Sequence, residues 1–203
     1  MWQGLFDPQN KFWSFMNKLT DLFFLSLYWI LFSLPVVTIG AATVALYQFM
    51  LKQVDDTEGY AFRSFWKAFK ENFKQATLLW LVFVAGCAFF FFDYEILFSF
   101  PLPSGVQILV FAVVTCLCFL FAVMSCFAFP LLACFRISLG KALKDALVMG
   151  MQHLPVTLLV LGIHAFFLWT TVKAPYLGPL FFSLALFSGS YLFKPVFRSY
   201  LAS

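Results

Sequence analysis

The chain has 203 residues, of which 63% are hydrophobic, 22% aromatic and 11% charged, and its formal net charge is +4. Soluble domains carry roughly a quarter of their residues as charged side chains, so this composition excludes a water-soluble globular domain. Apolar segments recur along the whole sequence. They predict one membrane domain, residues 1–203, folded as an all-α polytopic helix bundle.

Five long apolar segments predict about five transmembrane helices, because roughly 20 residues are needed to cross the hydrocarbon of a bilayer. The first and third segments are longer than one crossing requires, and each contains a proline that removes a helical hydrogen bond, Pro35 or Pro130. Each is predicted to be a single span with a hinge at its proline. For the first segment, a hairpin that turns at Pro35 remains as the alternative. The five segments are residues 22–51, 76–92, 106–135, 154–172 and 175–193.

Lysine and arginine are concentrated in residues 52–74, in residues 136–144 and in the C-terminal tail. Cytoplasmic connections of membrane proteins carry an excess of these residues, so all three regions are predicted to face the cytoplasm, together with the C-terminus. A single bent first span then places the N-terminus outside the cell. The hairpin alternative places it inside, which suits Lys11 and Lys18 better.

The segment FRSFWKAFKENFKQ, residues 62–75, has its aromatic residues on one helical stripe and its basic residues on the stripe beside it. This pattern is typical of a helix in the membrane interface, with aromatic rings among acyl chains and lysines at anionic headgroups. Residues 60–75 are therefore predicted to form an interfacial helix. Nucleic-acid binding is disfavoured because the rings are then occupied by lipid. Seven residues are predicted at the membrane interface: Arg63, Trp66, Lys67, Phe69, Lys70, Phe73 and Lys74.

A weaker copy of this pattern, KALKDAL, occurs at residues 141–147 and predicts a second interfacial helix over residues 138–150. Small residues at Gly40, Ala41 and Ala45 predict a site where another helix packs closely.

His164 lies in the middle of an apolar segment and is the best candidate for a functional group inside the membrane. The alternative is a structural histidine that is hydrogen-bonded to a neighbouring helix. The five cysteines lie in apolar segments without metal-ligand spacing and are predicted to be buried thiols. No catalytic motif is present, so we expect a protein that is not an enzyme and has no metal or cofactor.

The sequence LFSLPVVTIGAATVALY, followed by GYAFRSFWKAFKENFKQA, resembles the YesL-like family of bacterial integral membrane proteins, a family of unknown function. The shared features are a first span ending in S-L-P, a stretch of small residues and a cytoplasmic helix of the form F-x-x-F-W-K-x-F-K. The resemblance implies a plasma-membrane protein of Gram-positive bacteria, encoded typically beside carbohydrate importers of the ABC class. It carries over no catalytic or ligand-binding residue.

Two functions are compatible with these features. The first is an accessory or interaction subunit linked to oligosaccharide import, with the permease subunits of an ABC-type transporter as partners. The alternative is a self-contained transporter of small solutes, which the two proline-containing spans would suit. A coupled transporter needs acidic or paired polar groups at the membrane midplane, where this sequence has His164 and scattered hydroxyl groups. The accessory function is therefore favoured.

Overall fold

A computed structural model describes residues 11–55, 57, 59–99, 103–135 and 137–201. These residues form seven α-helices and two short 3₁₀ turns, with no β-strand among them, so the predicted all-α bundle is confirmed. The 3₁₀ turns are Val36–Thr38 and Pro175–Leu177. The helices are α1 (Lys11–Ser33), α2 (Ile39–Gln53), α3 (Ala61–Ser99), α4 (Ser104–Cys134), α5 (Leu139–Gln152), α6 (Leu154–Lys173) and α7 (Gly178–Leu201).

Four stretches of these helices are long and apolar enough to cross a membrane, which confirms a membrane-embedded protein. They coincide with the last four apolar segments of the sequence and lie in α3, α4, α6 and α7. The described residues thus contain four such helices where the sequence predicted about five spans. The difference arises in the first segment, which is divided between two helices. The four stretches are Ala61–Ser99, Gly105–Cys134, Leu154–Lys173 and Pro175–Tyr200.

The first apolar segment breaks at Pro35. Helix α1 ends at Ser33, and Pro35 has an extended backbone. The Thr38 hydroxyl lies 2.6 and 2.7 Å from the carbonyl oxygens of Phe32 and Pro35 and donates its one proton between them, while the Thr38 amide also donates to the Pro35 carbonyl at 2.8 Å. Proline cannot supply a helical amide donor, and these bonds from Thr38 satisfy carbonyl groups at the break. The chain therefore has a stable turn at the position where a hinge was predicted.

After this turn α2 runs back along α1. Trp29, late in α1, donates its indole N–H to Thr43, early in α2, at 3.2 Å. Asp21, earlier in α1, lies 3.5 Å from the side-chain nitrogen of Gln53, the last residue of α2. Positions further along α2 thus lie beside positions further back in α1, so the two helices are antiparallel. The structure therefore differs from the single bent span predicted for residues 22–51 and has the alternative, a hairpin.

The hairpin places the start of α1 and the end of α7 at the same end of the bundle. Asp55 follows α2 and pairs with Lys194 and Arg198 of α7. Asp21 of α1 lies at this end as well, beside Gln53. A single bent span would have put the start of α1 and the end of α7 on opposite sides, so the structure differs here from the bent span, while the orientation of the termini across the membrane stays a prediction.

Helix α2 is the centre of the bundle, with 12 of its 15 residues buried. Gly40 allows α3 to approach, because a Cβ atom at this position would overlap the carbonyl oxygen of Ala76 and the Cβ of Trp80. Ala41 and Ala45 are fully buried. The small residues predicted to receive another helix are thus covered within the chain itself, and at Gly40 the helix that approaches is α3.

The predicted interfacial helix of residues 60–75 is not a separate element. It is the first part of α3, which continues to Ser99 over 39 residues. The rings of Phe65 and Phe69 are buried and lie 5.7 and 5.2 Å from the ring of Phe32 in α1. Once α1 folds back at Pro35, it offers these rings an apolar protein surface. Much of the aromatic stripe therefore packs on α1 rather than on lipid.

Helix α5 matches the second interfacial helix predicted over residues 138–150. Ala142, Ala146 and Gly150 are buried on the side that faces the rest of the protein. A Cβ atom on Gly150 would overlap Val123 of α4, so α5 lies directly against α4. Pro130 lies inside α4, and its role as a hinge stays a prediction.

Candidate functional site

His164 lies on α6 and is hydrogen-bonded within its own helix. Its Nδ1 is 2.8 Å from the carbonyl oxygen of Val160. A carbonyl oxygen only accepts, so we assign the proton to Nδ1, which leaves Nε2 as an acceptor. The bond differs from the sequence alternative, in which a neighbouring helix holds the ring. His164 is thus fixed in one tautomer with one nitrogen able to accept a hydrogen bond.

His164 lines a cavity of about 470 Å³ between α1, α6 and α7. The walls are mostly apolar, and the Trp29 and Phe182 rings lie against each other there with centroids 4.5 Å apart. Among the described residues that line the cavity, His164 is the only one with a titratable side chain. Apolar walls with few polar groups are typical of small-molecule sites of this size. The polar side chains in this lining are His164 and Thr171, so the cavity suits an apolar or aromatic molecule with few hydrogen-bonding groups.

Hydroxyl side chains of the spanning helices bond to their own backbone. Each donates at 2.8 Å to a carbonyl oxygen three or four residues earlier: Ser125, Thr170, Ser188 and Ser190. Other hydroxyl groups join two helices; for example, Ser26 of α1 donates to Ser183 of α7 at 2.9 Å. Lipid offers no hydrogen bonds, so such groups must be satisfied inside the protein. These groups are satisfied locally, whereas the buried Thr77 hydroxyl of α3 has no hydrogen-bond partner among the described residues.

The basic side chains of the first part of α3 are exposed along one side of the helix. These cations are Arg63, Lys67, Lys70 and Lys74. The Lys70 ammonium lies 5.0 Å from the centre of the Trp66 ring, a cation–π contact. Of the predicted interface residues, Phe73 is exposed too, Trp66 is half-buried and Phe69 is buried. This basic stripe of α3 is the part of the predicted interface that remains open to headgroups.

The outer parts of α3 and α4, residues 84–99 and 104–120, form an extension that we call the α3–α4 arm. Among its described side chains only Leu97 is buried. The two helices of the arm contact each other: Tyr94 bonds to Thr115 at 3.0 Å, and its ring packs on Phe111. Large apolar side chains cover the remaining surface, for example Phe92, which is 63% exposed. The arm therefore extends beyond the bundle core.

A charged cluster at the end of α2 was not found from the sequence. Asp55 accepts hydrogen bonds from Lys194 and, at 2.8 Å, from Arg198, while Lys194 also donates to the Leu51 carbonyl at 3.3 Å. The hydrogen bond from Lys194, and then the Arg198 guanidinium, hold the pKa of Asp55 below its ordinary value of 3.8. Asp55 lies far from the two cations in the sequence. The sequence signal for this cluster is the spacing of Lys194 and Arg198, which places them on one face of α7 where they can share a partner.

No three His, Cys, Asp or Glu side chains within the described ranges are close enough together to hold a metal ion. All five cysteines are free thiols. Cys87 and Cys116 are exposed, which corrects the prediction of buried thiols, because they lie on the α3–α4 arm where no other helix covers them. Cys134, at the end of α4, is exposed as well.

Comparison with known proteins gives one match. Residues 22–94 match the model of a family described as "Protein of unknown function, DUF624". These residues include the α1–α2 hairpin and most of α3, the same part of the chain that carries the resemblance seen in the sequence. Searches of curated proteins and of solved structures found no match. The chain is therefore a membrane-embedded, all-α protein whose residues 22–94 fit the DUF624 family model.

Proposed function

We propose that this protein is a non-enzymatic accessory subunit of the bacterial plasma membrane, which binds a permease subunit of a carbohydrate ABC-type importer through its α3–α4 arm. The observation that carries the proposal is the arm itself, a pair of apolar helices that the rest of the chain leaves uncovered. The connection to oligosaccharide import rests on the family resemblance alone.

The arm contributes almost nothing to the packing of its own chain. The core cluster of buried side chains draws on α1, α2, the first part of α3, the inner part of α4, and α5, α6 and α7, and it contains no residue of the arm. Helices associate in lipid through close packing rather than through a hydrophobic driving force. Phe89, Phe92 and Ile96 recur at helical spacing on one face of the arm and are all more than half exposed. This face is a suitable surface for a helix of the partner.

In the proposed orientation, the end of the bundle that contains Asp55 faces the cytoplasm. The basic stripe of α3 follows shortly after α2, and Lys194 and Arg198 lie at the same end. By the positive-inside rule this end is cytoplasmic, and the start of α1 then faces the cytoplasm too, in place of the extracellular N-terminus predicted from the sequence. The stripe would contact anionic headgroups.

The test is co-purification of the tagged protein from the native membranes of cells that were grown on plant oligosaccharides. The proteins that elute with it are identified by mass spectrometry. We expect a sugar permease in near-stoichiometric amount. The triple variant F89A/F92A/I96A should reduce its recovery about tenfold, which corresponds to a loss of about 1.4 kcal/mol of binding free energy. These side chains are exposed, so the variant should fold normally.

The matched control is L159A/F166A/W169A, which removes three side chains of similar exposure from the outer face of α6. It should leave recovery of the permease unchanged. Elution of the wild-type protein alone, as a monomer or homo-oligomer, would contradict the accessory function. Equal losses from the two triple variants would contradict the role of the arm.

A transporter of small solutes is the second candidate, and the cavity beside His164 is the observation that favours it. If the cavity lies on a transport path, His164→Ala should abolish oligosaccharide uptake by cells that express the protein normally. For an accessory subunit we expect uptake to be unchanged, because the hydrogen bond that the structure gives the histidine ring lies within α6. Gly162→Ala is the control, since a Cβ atom there meets no other atom within 4 Å.

A further inference from the structure

A second cavity, of about 330 Å³, lies where the ends of α2, α4 and α7 meet. Its charged lining consists of Lys52, Lys194 and Arg198 with one carboxylate, Asp55. The cavity lies at the end of the bundle that contains the Asp55 cluster. Three cations around one half-open cavity attract an anion, and Arg198 has five N–H donors in a planar fork that suits phosphate oxygens.

The floor of this cavity is apolar. Leu51, Ala133 and Phe197 line it and are themselves buried. A small inorganic anion makes no use of such a floor, whereas the glycerol and first methylene groups of a lipid would pack on it. The combination of a cationic rim and an apolar floor therefore matches an anionic amphiphile.

Asp55 occupies the place of an anion between the two cations of α7. It accepts from both Lys194 and Arg198. The Lys194 side chain is only 13% exposed and is held in addition by the Leu51 carbonyl, while the Arg198 side chain is 70% exposed. One carboxylate uses only some of the donors that these side chains provide. The cluster can thus receive a second anionic group, with Asp55 as an internal competitor.

We propose that this cavity binds the phosphate group of an anionic phospholipid, with Arg198 and Lys194 donating to the phosphate oxygens and Lys52 at the rim. The site is separate from the basic stripe of α3, which lies on an open helix surface and has no enclosing walls. It does not depend on the proposed accessory function.

The test is native mass spectrometry of the full chain in a neutral detergent, titrated with short-chain phosphatidylglycerol, short-chain phosphatidylcholine or inorganic phosphate. We expect binding of phosphatidylglycerol alone. Arg198→Gln should weaken that binding about tenfold, since charge-assisted hydrogen bonds contribute this much. Lys144→Gln, which removes one exposed positive charge from α5, should leave it unchanged.

Substitution of Asp55, the internal competitor, gives the sharper result. A binding site predicts stronger phosphatidylglycerol binding in the variant, whereas a purely structural ion pair predicts weaker binding. Asp55→Asn frees both cations and should strengthen phosphatidylglycerol binding severalfold, even if it lowers the thermal stability recorded on the same samples. The matched control is Asp145→Asn, which removes the same charge from α5, a helix that contributes no residue to the cavity lining. This control should change phosphatidylglycerol binding less than Asp55→Asn does.

Each outcome distinguishes the explanations. Equal effects of Arg198→Gln and Lys144→Gln, or of Asp55→Asn and Asp145→Asn, would mean that the lipid binds through general surface charge, and would overturn the site. Weaker binding in Asp55→Asn would make the cluster an ion pair that only holds α2 to α7, and would overturn it as well. Displacement of phosphatidylglycerol by inorganic phosphate would support the phosphate site but overturn the lipid as its source.

Discussion

Gly40→Ala is expected to destabilise the protein by about 3 kcal/mol, at the upper end of the cost of overpacking. The added methyl group would overlap a backbone carbonyl oxygen of Ala76 as well as the Cβ of Trp80. Neither atom can rotate away, so α2 and α3 must separate along their contact. The measurement is unfolding of the purified protein in mild detergent, followed by tryptophan fluorescence with increasing sodium dodecyl sulfate.

Gly162→Ala is the control for this prediction, because it makes the same chemical change inside α6, where a Cβ atom meets nothing within 4 Å. Alanine is the better helix former, so this variant should be unchanged or more stable by up to about 1 kcal/mol. Equal stability of the two variants would mean that α2 and α3 do not pack at Gly40 in the membrane-embedded protein.

Phe65→Ala should cost about 3–5 kcal/mol, as expected for the removal of a buried phenylalanine. The Phe65 ring is fully buried and lies 6.2 Å from the Tyr28 ring and 5.7 Å from the Phe32 ring of α1. Its loss leaves a cavity between α1 and α3 at the centre of the aromatic contact. The same unfolding measurement in detergent tests this loss of stability.

Phe73→Ala is the comparison that decides which surface the aromatic stripe contacts. Phe73 belongs to the same stripe but is 39% exposed, so we expect a loss below about 1 kcal/mol for its removal. If the stripe faced lipid, as a helix lying in the interface would require, the two substitutions should have similar small effects. A large difference between them supports the packing of α3 on α1.

The helical class and the later spans could be predicted from the sequence because they depend on local properties. Apolar runs of sufficient length mark α3, α4, α6 and α7, and helical periodicity marks α5. The hairpin at Pro35 could not be predicted with the same certainty. Proline interrupts a helix whether the chain then continues or reverses, and the choice depends on distant contacts such as the one between Trp29 and Thr43.

The environment of the amphipathic segment was ambiguous for a similar reason. An aromatic stripe looks the same in the sequence whether lipid or another helix covers it, and only the position of Phe32 shows that α1 covers much of this one. The candidate site too was predictable only where it depends on the local sequence. His164 could be selected as a rare ionisable residue in an apolar segment, but its cavity depends on Trp29 and Phe182 from other helices.

The central position of α2 has a consequence for the order in which the protein assembles during synthesis. α2 leaves the ribosome before α7, yet the side chains that cover α2 and pair with Asp55 at its end include Phe193, Lys194 and Phe197 of α7. Until α7 has been made, Asp55 lacks both of its cations and one side of α2 stays uncovered. The packing around α2 is therefore incomplete until α7 has been made, and we expect α2 to be held less tightly before that point.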